Sequence, residues 1–308
     1  MRQVRRPMIL AVLAAIVAAM AAVVFPAGPA AAIVGGSPAP RLYAAETAVQ
    51  VVFPGLGTGF CTGVMVTRQW MLVAGHCASE QVPVPVPVAV PGAAVTARVG
   101  SLDRTSGGVL VTGEQVYLPP GWAWGTNWPA KPVSDYALVK LTSPVPGPVA
   151  QLATVAVPEG GPVLLTGWGL DEFPPAPGAE PARLLQQRDA VRLPAAACAD
   201  GPIGIGEFCV SKGTCFGDSG GPALQQAGTG WAVVGTSSRE TSETNPCSEP
   251  SVYTDLTYPP LRAWVWSTIL HPAQPQPYAQ DQPAPADTAD AAARARIVDR
   301  LKLHLVQQ

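Results

Sequence analysis

The stretch that decides the fold is GDSGGP at residues 217–222, where one serine lies among three glycines and directly follows an aspartate. Glycine permits the sharp turns and close backbone approaches that other residues disfavour. Backbone N–H groups in such a turn can point at a substrate oxygen, as an oxyanion hole requires. The segment therefore predicts that Ser219 is a nucleophile; a glycine-rich surface turn with an incidental serine is the alternative.

A serine hydroxyl needs a neighbouring base to accept its proton before it becomes a good nucleophile. The chain has three histidines, and two of them, His271 and His304, lie in the C-terminal tail. His76 ends a short apolar run and is therefore the base candidate within the folded body. A third group should orient the imidazole, and Asp135 opens a strand-like run that suits a buried acceptor. Several other aspartates compete for this role if spacing is the only guide.

The order of these residues along the chain is His76, Asp135 and Ser219. The serine segment also fits the G-x-S-x-G nucleophile elbow of α/β-hydrolases, in which the acid and then the histidine follow the serine. Only the two tail histidines follow Ser219 in this chain, which disfavours that fold. Histidine, then aspartate, then serine is the order found in chymotrypsin-type proteases.

Four motifs together make the chain resemble the trypsin/chymotrypsin-type serine proteases, of the secreted, bacterial type. They are IVGG at 33–36, AGHC at 74–77, DYAL at 135–138 and GDSGGP at 217–222. The resemblance covers about residues 33–270, which would form the protease domain. Four motifs in the right order are far more specific than any one of them alone.

Short β-rich runs separated by glycine and proline fill residues 33–258 and predict an all-β sandwich or barrel. Clear examples lie at 47–53, 94–99, 163–166 and 231–235. The resemblance implies two antiparallel six-stranded β-barrels of the chymotrypsin-like kind, with a C-terminal helix at 261–270. The first barrel would hold the histidine and the aspartate, the second the serine, with the cleft between them.

Both ends of the chain differ from this body in composition. Residues 1–32 carry three arginines within their first six positions, followed by an apolar stretch and, at the end, three alanines. This pattern is typical of a secretory signal peptide, with or without a very short propeptide. A retained membrane anchor is the alternative. Residues 271–287 are rich in proline, glutamine and alanine and resemble a linker. Residues 288–308 are then a tail, either solvated or folded as a short helix.

The charge balance gives no indication of a nucleic-acid partner. The chain has 19 Lys+Arg and 21 Asp+Glu, and removal of the signal's three arginines leaves 16 against 21, a net charge near −5. No basic run is present to bind a polyanion. We expect a secreted, extracellular monomer that acts on protein or peptide substrates, is open to proteinaceous inhibitors, and has no membrane span once the signal is removed.

Six cysteines follow the signal, an even number that suits an oxidising compartment. The count alone leaves many pairings open. A metal site, the main alternative, lacks C-x-x-C spacing and partner histidines. The triad mechanism that the resemblance implies needs neither a metal nor an organic cofactor. The resemblance implies the pairs Cys61–Cys77, Cys198–Cys209 and Cys215–Cys247.

The resemblance also implies a role for each motif residue. His76 would accept the proton of Ser219 as general base, and Asp135 would fix the imidazole tautomer and stabilise the imidazolium. The N–H groups of Gly217 and Ser219 would form the oxyanion hole. The reaction would pass through an acyl-enzyme that water hydrolyses.

A separate implication of the resemblance concerns activation. A freed Ile33 amino group would enter the second barrel and pair with Asp218, the aspartate before the nucleophile. This pairing would order the oxyanion segment and the pocket. Three alanines lie directly before Ile33, so signal cleavage alone would create the active terminus unless a short propeptide remains.

Primary specificity is the part of the site that the resemblance defines least. Gly213 falls at the pocket floor, where trypsin-like enzymes carry an aspartate, so a preference for Lys or Arg is not expected. The pocket walls align with Ser238, Arg239 and Glu240 on one side and Ser251 on the other. Glu240 would narrow the pocket and favour small or medium apolar side chains. An inward-turned Arg239 would instead select acidic ones; we prefer the first interpretation.

Two other functions are compatible with the same motifs. One is a secreted binding module on a catalytically silent protease scaffold. The other is a serine esterase of the same fold, because acyl-transfer groups that cleave amides also cleave simple esters.

Overall fold

The computed structural model describes residues 33–53, 55–80, 87–122, 134–175, 178–199, 201, 203–211, 213–242, 247 and 250–272. The predicted signal peptide lies outside these residues. The predicted linker and tail also lie outside them from residue 273 onward. Within the described ranges, no helix is long and apolar enough to cross a membrane.

The first barrel is a closed antiparallel sheet of six strands in the order β2-β3-β4-β7-β6-β5. In β2, Val49, Val51 and Phe53 are buried while the residues between them are exposed, the period-two pattern of a strand with one face on a core. The strand-like run at 47–53 is thus confirmed. The strands are β2 (Glu46–Phe53), β3 (Gly57–Thr67), β4 (Trp70–Val73), β5 (Val95–Val99), β6 (Val109–Tyr117) and β7 (Ala137–Leu141).

The second barrel is formed by six antiparallel strands that close through the pairing of β9 with β10. Two short strands add to it: β1 pairs with β10, and β8 pairs in parallel with β13. The predicted all-β fold of two six-stranded barrels is confirmed. The strands are β1 (Ser37–Pro38), β8 (Gln151–Leu152), β9 (Pro162–Gly167), β10 (Gln186–Leu193), β11 (Glu207–Val210), β12 (Pro222–Ala227), β13 (Gly230–Glu240) and β14 (Ser251–Asp255).

A C-terminal helix, α1 (Pro259–Leu270), packs across the junction of the barrels. It begins two residues before the predicted start, because proline fits the first turn of a helix, where the missing N–H is not needed. Leu261 and Val265 are one turn apart and are both buried. They share one apolar cluster with Leu138 of the first barrel and Leu224 of the second, which fixes the two barrels against each other.

Three disulfides brace the fold, and they are the pairs that the resemblance implies. The first joins β3 to the short 3-10 helix Gly75–Cys77, which carries His76. The third ties the segment before Ser219 to the chain beyond β13. A native disulfide typically contributes ~2–5 kcal/mol to stability. The pairs are Cys61–Cys77, Cys198–Cys209 and Cys215–Cys247.

Candidate active site

His76 is held by the carboxylate of Asp135 at two points. Its ring Nδ1 lies 2.9 Å from Asp135 Oδ2, and its backbone N–H donates to Asp135 Oδ1 at 2.9 Å. Burial disfavours the imidazolium, but the Asp135 carboxylate and its hydrogen bond, together with Glu240, outweigh it and raise the pKa of His76 above its ordinary value. The two contacts fix both the position of the ring and the nitrogen that carries its hydrogen.

Asp135 is buried directly before β7, only 3 % exposed. Its Oδ2 also accepts a hydrogen bond from Ser238 Oγ at 2.5 Å. Burial opposes ionisation, but the charge of His76 and the hydrogen bonds from His76 and Ser238 keep the pKa of Asp135 below its ordinary value. The carboxylate is therefore ionised at neutral pH and able to stabilise a protonated imidazole.

The Ser219 turn packs against the first barrel. The backbone N–H of Thr62, on β3, donates to the Ser219 carbonyl at 2.9 Å, and the Thr62 hydroxyl donates to the Gly217 carbonyl at 3.1 Å. At Gly220, φ is +78°, and a Cβ there would lie 2.4 Å from the Thr62 carbonyl oxygen and 2.7 Å from the backbone nitrogen of Ala74. Only glycine permits this approach, which brings the serine turn against the segment that carries His76.

Asp218, the residue before the serine, is fully buried. Its Oδ1 accepts from the backbone N–H of Gly169 at 2.7 Å, and its Oδ2 accepts from the backbone N–H of Cys215 at 3.0 Å. Burial raises the pKa of Asp218 to about 8, although these hydrogen bonds and one from the Ile33 backbone partly offset it. These hydrogen bonds hold the backbone directly before Ser219 against Gly169 and Cys215.

Ile33 lies inside the second barrel, with no exposed surface, packed in one apolar cluster with Val163 and Leu165. Its φ is +54°, an uncommon value for a β-branched residue. The Ile33 backbone N–H hydrogen-bonds to Asp218. The structure therefore brings together the two residues that the resemblance pairs in activation, with a neutral amide where a freed chain would have an ammonium.

The residues expected at the specificity pocket do not all line an open space. A Cβ built at Gly213 would lie 3.2 Å from Leu165 Cδ1 and 3.4 Å from Arg188 Cδ, so this glycine contacts packed side chains. The hydroxyls of Thr214 and Ser251 are both buried and hydrogen-bond to each other. This contact links the segment beside Gly213 to the expected pocket wall at Ser251.

The residues expected in the opposite wall lie at the end of β13. Glu240 pairs in register with Ser251 of β14, so these two expected wall residues are neighbours. Ser238, also expected in the wall, donates to Asp135 and so belongs to the histidine–aspartate pair. Arg239, between them, binds the carboxylate of Glu207 with both terminal nitrogens, and its Nη2 lies 2.9 Å from Glu207 Oε2.

Glu207 and Thr214 are the residues that sequence reasoning missed. The signal for Glu207 is an acidic residue that opens the strand-like run EFCV, since a charge in a buried strand needs a partner. Thr214 carries no signal beyond its place next to Gly213. The partners of both residues lie more than 30 positions further along the chain, where periodicity gives no information.

A serine in a glycine-lined turn, placed where two antiparallel barrels meet and packed against the segment of a histidine that is bonded to a buried aspartate, defines the class of two-barrel, chymotrypsin-like serine hydrolases. The comparison with known families is more specific. The Trypsin family model matches residues 33–265, and the chain belongs to the trypsin family. It is accordingly a serine-type endopeptidase, and proteins are its substrates.

Individual relatives agree with this assignment. The chain is 26 % identical over 230 residues to a trypsin of Sarcophaga bullata, covering 68 % of this chain and 78 % of the relative. It is 29 % identical over 221 residues to serine protease 1 of Rattus norvegicus, covering 66 % and 79 %. It is 30 % identical over 175 residues to serine protease SP24D of Anopheles gambiae, covering 53 % and 58 %.

Proposed function

We propose that the protein is a secreted serine endopeptidase that cleaves peptide bonds with His76, Asp135 and Ser219 as its catalytic residues. The observation that carries this proposal is the double hydrogen bond from His76 to Asp135, beside the packed Ser219 turn. Because Nδ1 donates to Asp135, Nε2 is left as the nitrogen that accepts a proton from the serine.

The reaction follows from these roles. Ser219 Oγ attacks the scissile carbonyl carbon while His76 Nε2 takes its proton, and the carbonyl electron pair moves onto the oxygen. The N–H groups of Gly217 and Ser219 bind that oxyanion. His76 then protonates the leaving amine, and water hydrolyses the acyl-enzyme with His76 again as base. Since the base must be neutral, kcat/KM should rise as the pH passes the raised pKa of His76.

A fluorophosphonate probe tests this assignment. We expect stoichiometric labelling of the active protein, with peptide mapping locating the probe on Ser219, because only an activated serine reacts rapidly with such a probe. Labelling should fall at acid pH, where His76 is protonated. A folded protein that is not labelled would point instead to a silent binding scaffold.

We further propose that the residue before the scissile bond is a small or medium apolar one. Support comes from Gly213, which carries no charge at the position that the resemblance places at the pocket floor. A preference for acidic substrate side chains would require Arg239 to turn into the pocket and to leave the buried carboxylate of Glu207. That move would strand a buried charge, at a typical cost of ~3–5 kcal/mol.

Substrates with Lys or Arg before the scissile bond are expected to be poor. A pocket without a carboxylate at its floor leaves the ammonium or guanidinium at the end of the substrate side chain without a partner there, and kcat/KM should fall on the order of 10²-fold or more relative to Ala or Val. Fluorogenic peptides that differ only at this residue provide the measurement, with the Lys peptide and trypsin as a control for substrate quality. A library in which basic residues dominate the cleaved position would overturn the pocket alignment.

The remaining parts of the proposal concern the whole chain. We infer that residues 1–32 direct secretion, that residues 33–270 form the protease domain, and that a linker at 271–287 leads to a tail at 288–308. The three disulfides suit an extracellular enzyme, since such bonds are rare in reducing compartments. Protein or peptide substrates and proteinaceous inhibitors are the expected partners of a monomer that requires no cofactor.

A further inference from the structure

A buried ion pair lies directly behind the candidate catalytic residues. The side chain of Glu207, on β11, has no exposed surface, and that of Arg239, on β13, is 24 % exposed. Glu207 accepts two hydrogen bonds from the guanidinium and one from the backbone N–H of Gly204 at 2.7 Å. The buried carboxylate is thus compensated, and the forked contact fixes the plane of the guanidinium.

The ion pair is connected to Asp135 through one hydroxyl group. Arg239 Nη1 lies 3.4 Å from Ser238 Oγ, and Ser238 Oγ lies 2.5 Å from Asp135 Oδ2. A guanidinium can only donate hydrogen bonds, whereas a hydroxyl has one hydrogen and two lone pairs. With Arg239 on its acceptor side, the single hydrogen of Ser238 is left to point at the carboxylate.

We propose that Arg239, held in place by Glu207, is a positioning residue that orients the Ser238 hydroxyl toward Asp135 and thereby maintains the Asp135–His76 pair. This inference rests on the proposed function, because it assigns a role in the same reaction. It differs from a purely structural role since the effect must pass through Ser238.

The charges that face His76 give the proposal a second observable. Asp135 and Glu240 favour the imidazolium, while the positive charge of Arg239 disfavours it. Loss of the guanidinium should therefore raise the pKa of His76 and move the acid limb of kcat/KM to higher pH. Loss of the hydrogen bond to Ser238 should lower kcat. The pH of the acid limb therefore reports on the charge of Arg239, and kcat reports on the orientation of Ser238.

The central experiment is the double variant E207Q/R239Q, which replaces the ion pair by neutral side chains of similar shape and strands no charge. We expect kcat to fall about 5- to 10-fold with KM within about twofold, as expected for one weakened hydrogen bond in the transition state. The acid limb should move to higher pH. In an S238A background the same double change should alter kcat by less than about twofold, because the connecting hydroxyl is gone.

Two further variants complete the test. The R239K variant keeps the positive charge but loses the two-nitrogen contact of the guanidinium with Glu207. We therefore expect the acid limb of kcat/KM to stay at its wild-type pH while kcat is lowered. R183Q is the matched control, because Arg183 forms an exposed ion pair with Asp103 at 2.8 Å. We expect it to change neither kcat nor the pH profile. Thermal melts of every variant report on folding.

The outcomes separate the two levels of the proposal. A folded double variant with wild-type kcat and acid limb would overturn the positioning role, as would full additivity with S238A. If the double variant does not fold, a wild-type kcat in R239K would overturn the positioning role of Arg239. Failure of a fluorophosphonate probe to label folded wild-type protein with a free Ile33 amino group would instead overturn the proposed function itself.

Discussion

Replacing Ser219 by alanine is expected to lower kcat on the order of 10⁴- to 10⁶-fold while the fold is unchanged. The alanine lacks the hydroxyl that attacks the substrate, and no other group can form the acyl-enzyme. The turn itself should persist, because it is held by backbone contacts: the Ser219 carbonyl accepts from Thr62, and the Gly220 N–H donates to the Ser237 carbonyl at 2.7 Å. Steady-state kinetics on a short peptide and a thermal melt provide the two measurements.

The matched control for this substitution is Ser211→Ala. Ser211 accepts a hydrogen bond from the backbone N–H of Val191 at 3.1 Å, an exposed contact away from the candidate catalytic residues. Its loss should leave kcat within about twofold of wild type, since exposed substitutions rarely matter. Near-normal turnover in purified Ser219→Ala, free of wild-type contamination, would exclude the serine mechanism.

The fold was predictable because its signals are local. Alternation in β2 and the glycines of the serine turn can each be read within a few residues of chain. The motif resemblance then supplied the long-range arrangement that periodicity lacks. The same resemblance predicted His76, Asp135 and Ser219. The structure bonds His76 to Asp135 and packs the Ser219 turn against the first barrel, although 143 positions separate His76 from Ser219.

The pocket was harder to predict for a physical reason. Whether a wall side chain turns inward depends on the partners available to it, and those partners lie on other strands. Arg239 is bonded to Glu207, and Thr214 is bonded to Ser251; both contacts cross more than 30 positions of sequence. The spacing of a residue from a sequence motif predicts where the residue lies in the fold, but it does not predict which way the side chain points.

A non-removable extension before Ile33 is expected to leave the protein folded but nearly inactive. In the unprocessed chain the Ile33 N–H is a neutral donor to Asp218, whose carboxyl group is fully buried. A freed Ile33 would place an ammonium there, and a buried carboxylate with a paired cation is far more stable than one without. We propose that this charge pairing orders Gly217 and Ser219 for oxyanion binding.

The two forms should also differ in how their stability depends on pH. In the unprocessed chain the pKa of Asp218 rises from 3.8 to about 8, so the folded state binds more protons than the unfolded state between these values. The Asp218 contribution to the free energy of unfolding should therefore decrease as the pH rises from about 4 to about 8. Urea midpoints measured across this range on the extended protein would show the loss.

In the processed enzyme the loss of stability should lie at higher pH than in the unprocessed chain. An α-amino group has an unfolded pKa of about 7.7–8.0, and pairing with Asp218 raises it in the folded state. The stabilisation is then fully present below the unfolded value and is lost as the pH rises through the raised folded value. We expect activity to be lost reversibly at alkaline pH, unaffected by added metal or reductant.

The decisive comparison uses one extension in two versions, one of which carries a protease site that ends directly before Ile33. Both should be nearly inactive as purified, and only the cleavable version should gain activity when it is cut, because only it releases the amino group. Edman sequencing establishes the terminus in each case, and a thermal melt establishes folding. Full activity with the extension intact would show that Asp218 needs no ammonium to order the oxyanion segment.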